Sequence, residues 1–135
     1  MTLEDNKNVI RKFFKAFEAQ DLEELQRLVG DDFSWWVAPT TVSSGTYNKA
    51  EWLPLIAGTF EQVDGPIKLE LGDLTAEDDR VSVTMVGHVP FKGGKLYNSH
   101  YHLLFWVRDG KIGPVKEYLD TYHVGEIFGF PNAAA

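Results

Sequence analysis

The chain of 135 residues contains no cysteine. Disulfides and thiolate metal sites are therefore excluded, and the redox compartment leaves no mark. No apolar run approaches the roughly 20 residues needed to span a bilayer. The first residues, Met1 to Lys7, are acidic and polar and lack the apolar core of a signal peptide. A soluble cytoplasmic protein, with no membrane partner, is expected. Positive charge is scarce: 13 lysines and arginines face 20 aspartates and glutamates, a net charge of −7, and no local basic cluster offsets it. Phosphate binding needs a basic surface, so nucleic acid is not expected as a partner. No internal repeat and no shift in composition marks a boundary. One domain is expected over residues 1–135, ordered from about 3 to 130 and large enough to enclose a core.

Periodicity supplies the elements. Val9, Ile10, Phe13, Phe14 and Phe17 recur at helical spacing within Thr2 to Ala19, with Thr2 and Asp5 as a cap. Asp21 to Glu24 opens a second helix in the manner of a capping box, and Gly30 is expected to end it. Phe33 to Val37 reads as a short strand and Pro39 to Gly45 as a loop. Asn48 and Glu51 form another capping box, for a helix to about Glu61 that Pro54 is expected to delay or kink. Strands are expected at Ile67 to Leu74, Val81 to Phe91, Leu96 to Val107 and from Lys111 onward, separated by turns. Val124 to Phe130 reads as a short apolar tail, and Asn132 to Ala135 are expected to fray. The order ααβαββββ predicts an α+β domain: three helices on one face of a strongly bent antiparallel sheet. The sheet and the first helix would line a cone-shaped cavity, the default ligand site.

The last hairpin concentrates the chemistry. Its strands are rich in aromatic and β-branched residues, yet carry His100, His102 and Asp120, with Asp109-Gly110 between them as a turn signal. Burying such titratable groups costs free energy unless they are paired. Two registers are open. A two-residue turn pairs Arg108 with Lys111, and Asp120 then points away from both histidines. A type I turn with Gly110 in a bulge pairs Val107 with Lys111. That register is favoured, because Asn98, His100, His102, Lys116, Tyr118 and Asp120 then share one face, expected to be concave, and a one-residue slip would flip them all. The opposite face would carry Tyr97, Tyr101, Leu103, Phe105, Val107, Val115 and Leu119. Such a patch, if not covered by the tail, would exceed what monomers expose, so a homodimer is expected on it.

The helix-helix-strand-helix-meander order, with Arg108 to Ile112 leading into Lys116 to Thr121, resembles the nuclear-transport-factor-2-like (ketosteroid isomerase-like) superfamily, and within it the SnoaL-like polyketide cyclase branch. The local motif is Glu117-Tyr118-Leu119-Asp120. The resemblance implies that Asp120 acts as acid/base in a ring-closing aldol step, assisted by His100 or His102. Ketosteroid isomerases of this fold place a carboxylate just before a proline after the first strand; here Val37-Ala38-Pro39 has none, so that chemistry by the usual residues is not expected. No Arg/Asp/Asp arrangement of the limonene epoxide hydrolase kind is apparent.

Asn98, Tyr118, Trp35, Phe14, Tyr47, Trp52 and His88 are candidate ligand contacts, and of the adjacent Trp35 and Trp36 only one can face the cavity. Most of these aromatics are expected to be ordinary core. Two histidines and a carboxylate are also metal-ligand chemistry. No third close ligand on a rigid spacing appears, even with His123 nearby, so no metal is expected. A carboxylate in an apolar cavity has a raised pKa and becomes a stronger base, able to take a proton beside a carbonyl while histidine or tyrosine donors hold the enolate oxygen. That chemistry needs no cofactor. The expected ligand is a small apolar or aromatic carbonyl compound. Two functions remain: a cofactor-free isomerase, cyclase or dehydratase, or a ligand-binding or dimerisation module with the same pocket. Backbone amides occupying Asp120 would favour the second.

Overall fold

In the computed structural model, which describes residues 1–131, side-chain caps start every helix. The expectation of fraying at Asn132 to Ala135 lies outside these residues. Helix α1 (Leu3–Glu18) opens where Thr2 Oγ1 accepts from the Asp5 amide at 3.0 Å and the Asp5 carboxylate accepts from the Thr2 amide at 2.9 Å. Helix α2 (Leu22–Leu28) is capped by Asp21, which accepts from the Glu24 amide. Gly30 does not end it. Strand β1 (Val29–Val37) begins before that glycine, because Val29 pairs with Ile112 across the sheet and long-range pairing overrides the local stop signal.

Part of the expected loop, with the residues after it, forms β2 (Gly45–Asn48), folded back on β1. Helix α3 (Lys49–Glu61) has the reciprocal Asn48/Glu51 cap and runs through Pro54 without starting later. The strands β3 (Lys68–Glu77), β4 (Arg80–Phe91), β5 (Lys95–Tyr97), β6 (His100–Arg108) and β7 (Lys111–Leu119) follow. The chain then forms α4 (Thr121–Phe128) where an apolar tail was expected. Its signal was Asp120 itself, whose Oδ1 accepts from the His123 amide at 3.1 Å as the N-cap.

The α+β class and the helix-first order hold, with a fourth helix and two short strands added. The sheet runs β2-β1-β7-β6-β4-β3, with β5 extending the pairing of β4. It is antiparallel except for β1 and β7, which lie parallel. Helix α1 packs its apolar stripe on the concave side. Phe13, fully buried, stacks on Trp35 and Trp52 and meets Phe105 edge-on. Removing a ring at such a position costs roughly 3–5 kcal/mol through lost burial and the cavity left behind. No helix among the described residues is long and apolar enough to cross a membrane.

The β6–β7 register decides what faces the interior. Asp109 and Gly110 both adopt positive φ (51° and 75°), and Arg108 pairs with Lys111. The turn is therefore the two-residue one and not the expected bulge at Gly110. The bulge comes later: Phe105 pairs with Val115 while Val107 pairs with Ile112, so Gly113 and Pro114 together oppose Trp106. Proline has no amide hydrogen for the ladder, and a bulge is where an inner strand tolerates it. The extra residue restores the parity that a bulge in the turn would have given. His102 opposes Tyr118, Asp120 N donates to His100 O, and these residues do share a side of the hairpin. That side is the outer one.

Candidate active site

The concave side carries the residues expected outside. Leu103, Phe105, Val107 and Val115 are buried core, while Tyr97, Tyr101 and Leu119 line a cavity of about 390 Å³ closed by α1, the loop after β1 and α4. The volume lies in the range of small-molecule sites. The reason for the inversion is burial: the strand face with the larger apolar area goes to the helices, and the histidine face goes to water. The tail does cover this apolar set, with Val124 and Phe128 of α4, but from the concave side.

Among the expected catalytic residues, His100 and His102 are exposed on the outer face, where His102 Nε2 meets Ser82 Oγ at 2.6 Å. Asp120 is exposed and occupied as a helix cap. Among the expected ligand contacts, Trp35 and Phe14 line the cavity. Trp52 is buried behind Trp35, stacked at 5.5 Å. Tyr47 acts one step away: its hydroxyl donates to Ser43 O at 2.8 Å, and Ser43 lines the cavity. Tyr118 is 49% exposed and packs on Trp36 of the outer face. Asn98 is exposed, and His88 pairs with Glu70 across β3 and β4, also away from the cavity.

The carboxyl group that does enter is Glu117. It sits between Val115 and Leu119 in the inward-facing row of β7, half-buried, and lines the cavity. Val37 of β1 lies opposite, and Trp35 Nε1 donates to Glu117 Oε1 at 2.7 Å. Burial penalises the charged form and pushes the Glu117 carboxyl up to about 7, against the pull of the Trp35 hydrogen bond. Tyr97 and Tyr101 share the space. Burial is also the main cause that raises both phenols above their ordinary value, most strongly at Tyr101, and the Glu117 charge adds to each. They are neutral hydroxyl donors at working pH.

Tyr97 is held from behind by His123, whose ring stacks on it at 5.4 Å and 2°. His123 Nε2 accepts from the Asn98 amide at 3.1 Å, so its hydrogen sits on Nδ1, toward Glu126. The rest of the lining is aromatic or aliphatic, with Ser43 and Thr59 as further hydroxyls. Among the described residues no three histidine or carboxylate side chains converge to hold a metal. Sequence reasoning passed over Glu117, Tyr97 and Tyr101. One signal was present: Glu117 is a charged residue in the period-two apolar row Val115, Leu119.

A curved sheet over α1 with a half-buried carboxyl in an aromatic cavity defines a small-molecule pocket protein. The SnoaL-like domain matches residues 10–113, and the chain belongs to that family, within the nuclear-transport-factor-2-like superfamily. No curated protein matches the sequence. Among solved structures, the chain is similar to PrhC from Penicillium brasilianum, with 13% identity over 94% of this chain and 87% of that one, at a TM-score of 0.84. It is similar to TerC, crystallised with polyporic acid, with 20% identity over 91% and 97% at 0.78. It is also similar to IdmH from Streptomyces antibioticus, described as a candidate polyketide cyclase, with 19% identity over 92% and 98% at 0.74. At these identities the likeness is one of fold.

Proposed function

We propose that this protein is a cofactor-independent acid/base catalyst, of the isomerase, cyclase or dehydratase kind, acting on a small apolar or aromatic carbonyl compound. Glu117 takes the role that the family resemblance suggested for Asp120. The observation that carries this reading is the placement of Glu117 in an apolar cavity, held by the Trp35 indole, where burial pushes its carboxyl up to about 7. A base whose pKa matches ambient pH is both sufficiently ionised and sufficiently basic. Its carboxylate would take a proton from carbon beside a carbonyl and return it to another atom, or leave a carbanion to close a ring. The ligand of TerC, polyporic acid, and the cyclase description of IdmH suit an aromatic ligand.

The test is hydrogen–deuterium exchange at the α-carbon of 2-tetralone, followed by NMR in deuterated buffer. Wild type is expected to accelerate exchange, and Glu117→Gln to lose about 10²–10⁴-fold of that acceleration, the usual contribution of a positioned acid/base group. The second reading, ligand binding without chemistry, is favoured by the capping role of Asp120. It requires tetralone to bind wild type without faster exchange.

We also propose a homodimer, now built on the outer residues Trp36, Val86, Leu104, Trp106 and Tyr118 rather than on the buried set. These lie on the outer face of β1, β4, β6 and β7, half-buried or exposed, interleaved with Thr84, His102 and Lys116. Light scattering is expected to give twice the chain mass for wild type and the chain mass for Leu104→Glu; a wild-type monomer at tens of micromolar would refute it.

A further inference from the structure

Two tyrosine hydroxyls, from the end of β5 and the start of β6, face the concave side, with Ser99 between them in the chain. Alternation carries Tyr97, Ser99 and Tyr101 inward and leaves Asn98 and His100 exposed. The two tyrosines line the cavity with rings 6.4 Å apart and nearly perpendicular, at 85°. Ser99 is fully buried between them in sequence: its hydroxyl lies 3.4 Å from the His100 carbonyl, and its own carbonyl accepts from the Gly87 amide at 2.9 Å. The tyrosine rings are fixed before any ligand arrives. His123 stacks on Tyr97, Phe128 packs against it at 5.1 Å, and the Tyr101 ring lies against Gly87, where a side chain would crowd it at 3.3 Å. Among the described residues, no lysine, arginine or histidine lines the cavity.

We propose that Tyr97 and Tyr101 form an oxygen-binding subsite, with the buried Ser99 behind them, that selects an uncharged ligand carrying a phenol, enol or ketone oxygen and turns the rest of that ligand toward Glu117. Only the last clause rests on the catalytic reading of Glu117. Fixed, neutral hydroxyls in an apolar cavity stabilise partial negative charge on oxygen without having to reorganise. They do not compensate a full carboxylate, which would enter an apolar site beside Glu117 with no cation to meet it. The subsite therefore sets ligand class: neutral hydroxy- or oxo-aromatics over aromatic acids. Both raised phenol pKa values agree with this, since the hydroxyls keep their protons.

The test uses 2-naphthol, naphthalene and 2-naphthoate as probes, titrated calorimetrically into the full chain and into Tyr97→Phe, Tyr101→Phe and the double variant. Phenylalanine keeps the ring packing, and naphthalene affinity reports that the cavity is intact. Wild type is expected to bind 2-naphthol about tenfold or more tightly than naphthalene or 2-naphthoate. The double variant is expected to lose that preference with naphthalene affinity unchanged. A preference for 2-naphthol that survives in the double variant overturns the proposal, as does 2-naphthoate binding wild type as tightly as 2-naphthol. Glu117→Gln separates the two readings, because it is expected to keep the 2-naphthol preference while losing proton exchange. Undiminished exchange in Glu117→Gln, together with a preference lost in the double tyrosine variant, rejects the role of Glu117 and supports the subsite.

Discussion

The indole N–H of Trp35 donates to Glu117 Oε1 across 2.7 Å, joining the parallel neighbours β1 and β7 at the wall of the cavity. The two influences on this carboxyl oppose one another. Burial favours the protonated form, the indole donor favours the ionised form, and burial is the larger. Replacing Trp35 with Phe removes the donor and keeps an aromatic ring. The midpoint of the pH–rate profile for α-proton exchange is expected to rise by about one unit, with the high-pH rate retained. An unmoved midpoint would detach Trp35 from the chemistry.

Stability should carry the same signature. Burial pushes Glu117 up to about 7 in the folded chain against an ordinary 4.5, so the folded state binds the extra proton between those values. Its contribution is present in full below the unfolded pKa and is lost as pH rises through the folded one. At about 1.4 kcal/mol per pKa unit the loss is about 3 kcal/mol, complete above roughly pH 8. Glu117→Gln has no proton to lose and keeps an acceptor for Trp35. Urea unfolding at several pH values is expected to show Glu117→Gln gaining on wild type by about that amount between about pH 5 and about pH 8. A constant difference across this range counts against a raised pKa.

Asp120 and the outer histidines should be separable from turnover. Asp120→Asn keeps a good helix cap, and Asp120→Ala is expected to cost about 1 kcal/mol of stability through the lost bond to the His123 amide. Asp120→Asn, His100→Ala and His102→Ala are each expected to exchange tetralone protons within about threefold of wild type, since none lines the cavity. Loss of exchange in Asp120→Asn, with the fold intact by circular dichroism, would return the catalytic role to that residue.

The fold was legible where the signal was local. Thr2/Asp5 and Asn48/Glu51 announced two helices through reciprocal caps, and Val81, Val83 and Met85 gave β4 by alternation. The site was legible only up to a choice of side. The grouping of His100, His102, Tyr118 and Asp120 followed from parity, which two different mechanisms deliver: a bulge in the turn, or the bulge at Gly113-Pro114 that the chain uses. Parity says which residues share a face, and burial says which face is inside. Treating the polar cluster as the interior reversed that choice. Tyr97, Tyr101 and Glu117 were then hidden in plain alternation, two of them within an apolar row that α1 covers. Helix α4 escaped for a related reason: Asp120, weighed as a catalyst, was not weighed as a cap.

The most direct measurement is the titration of the Glu117 carboxyl carbon by ¹³C NMR, assigned through Glu117→Gln. A midpoint near 7 is expected, and a midpoint near 4.5 would contradict the central claim that this cavity holds its carboxyl group poised for proton transfer at neutral pH.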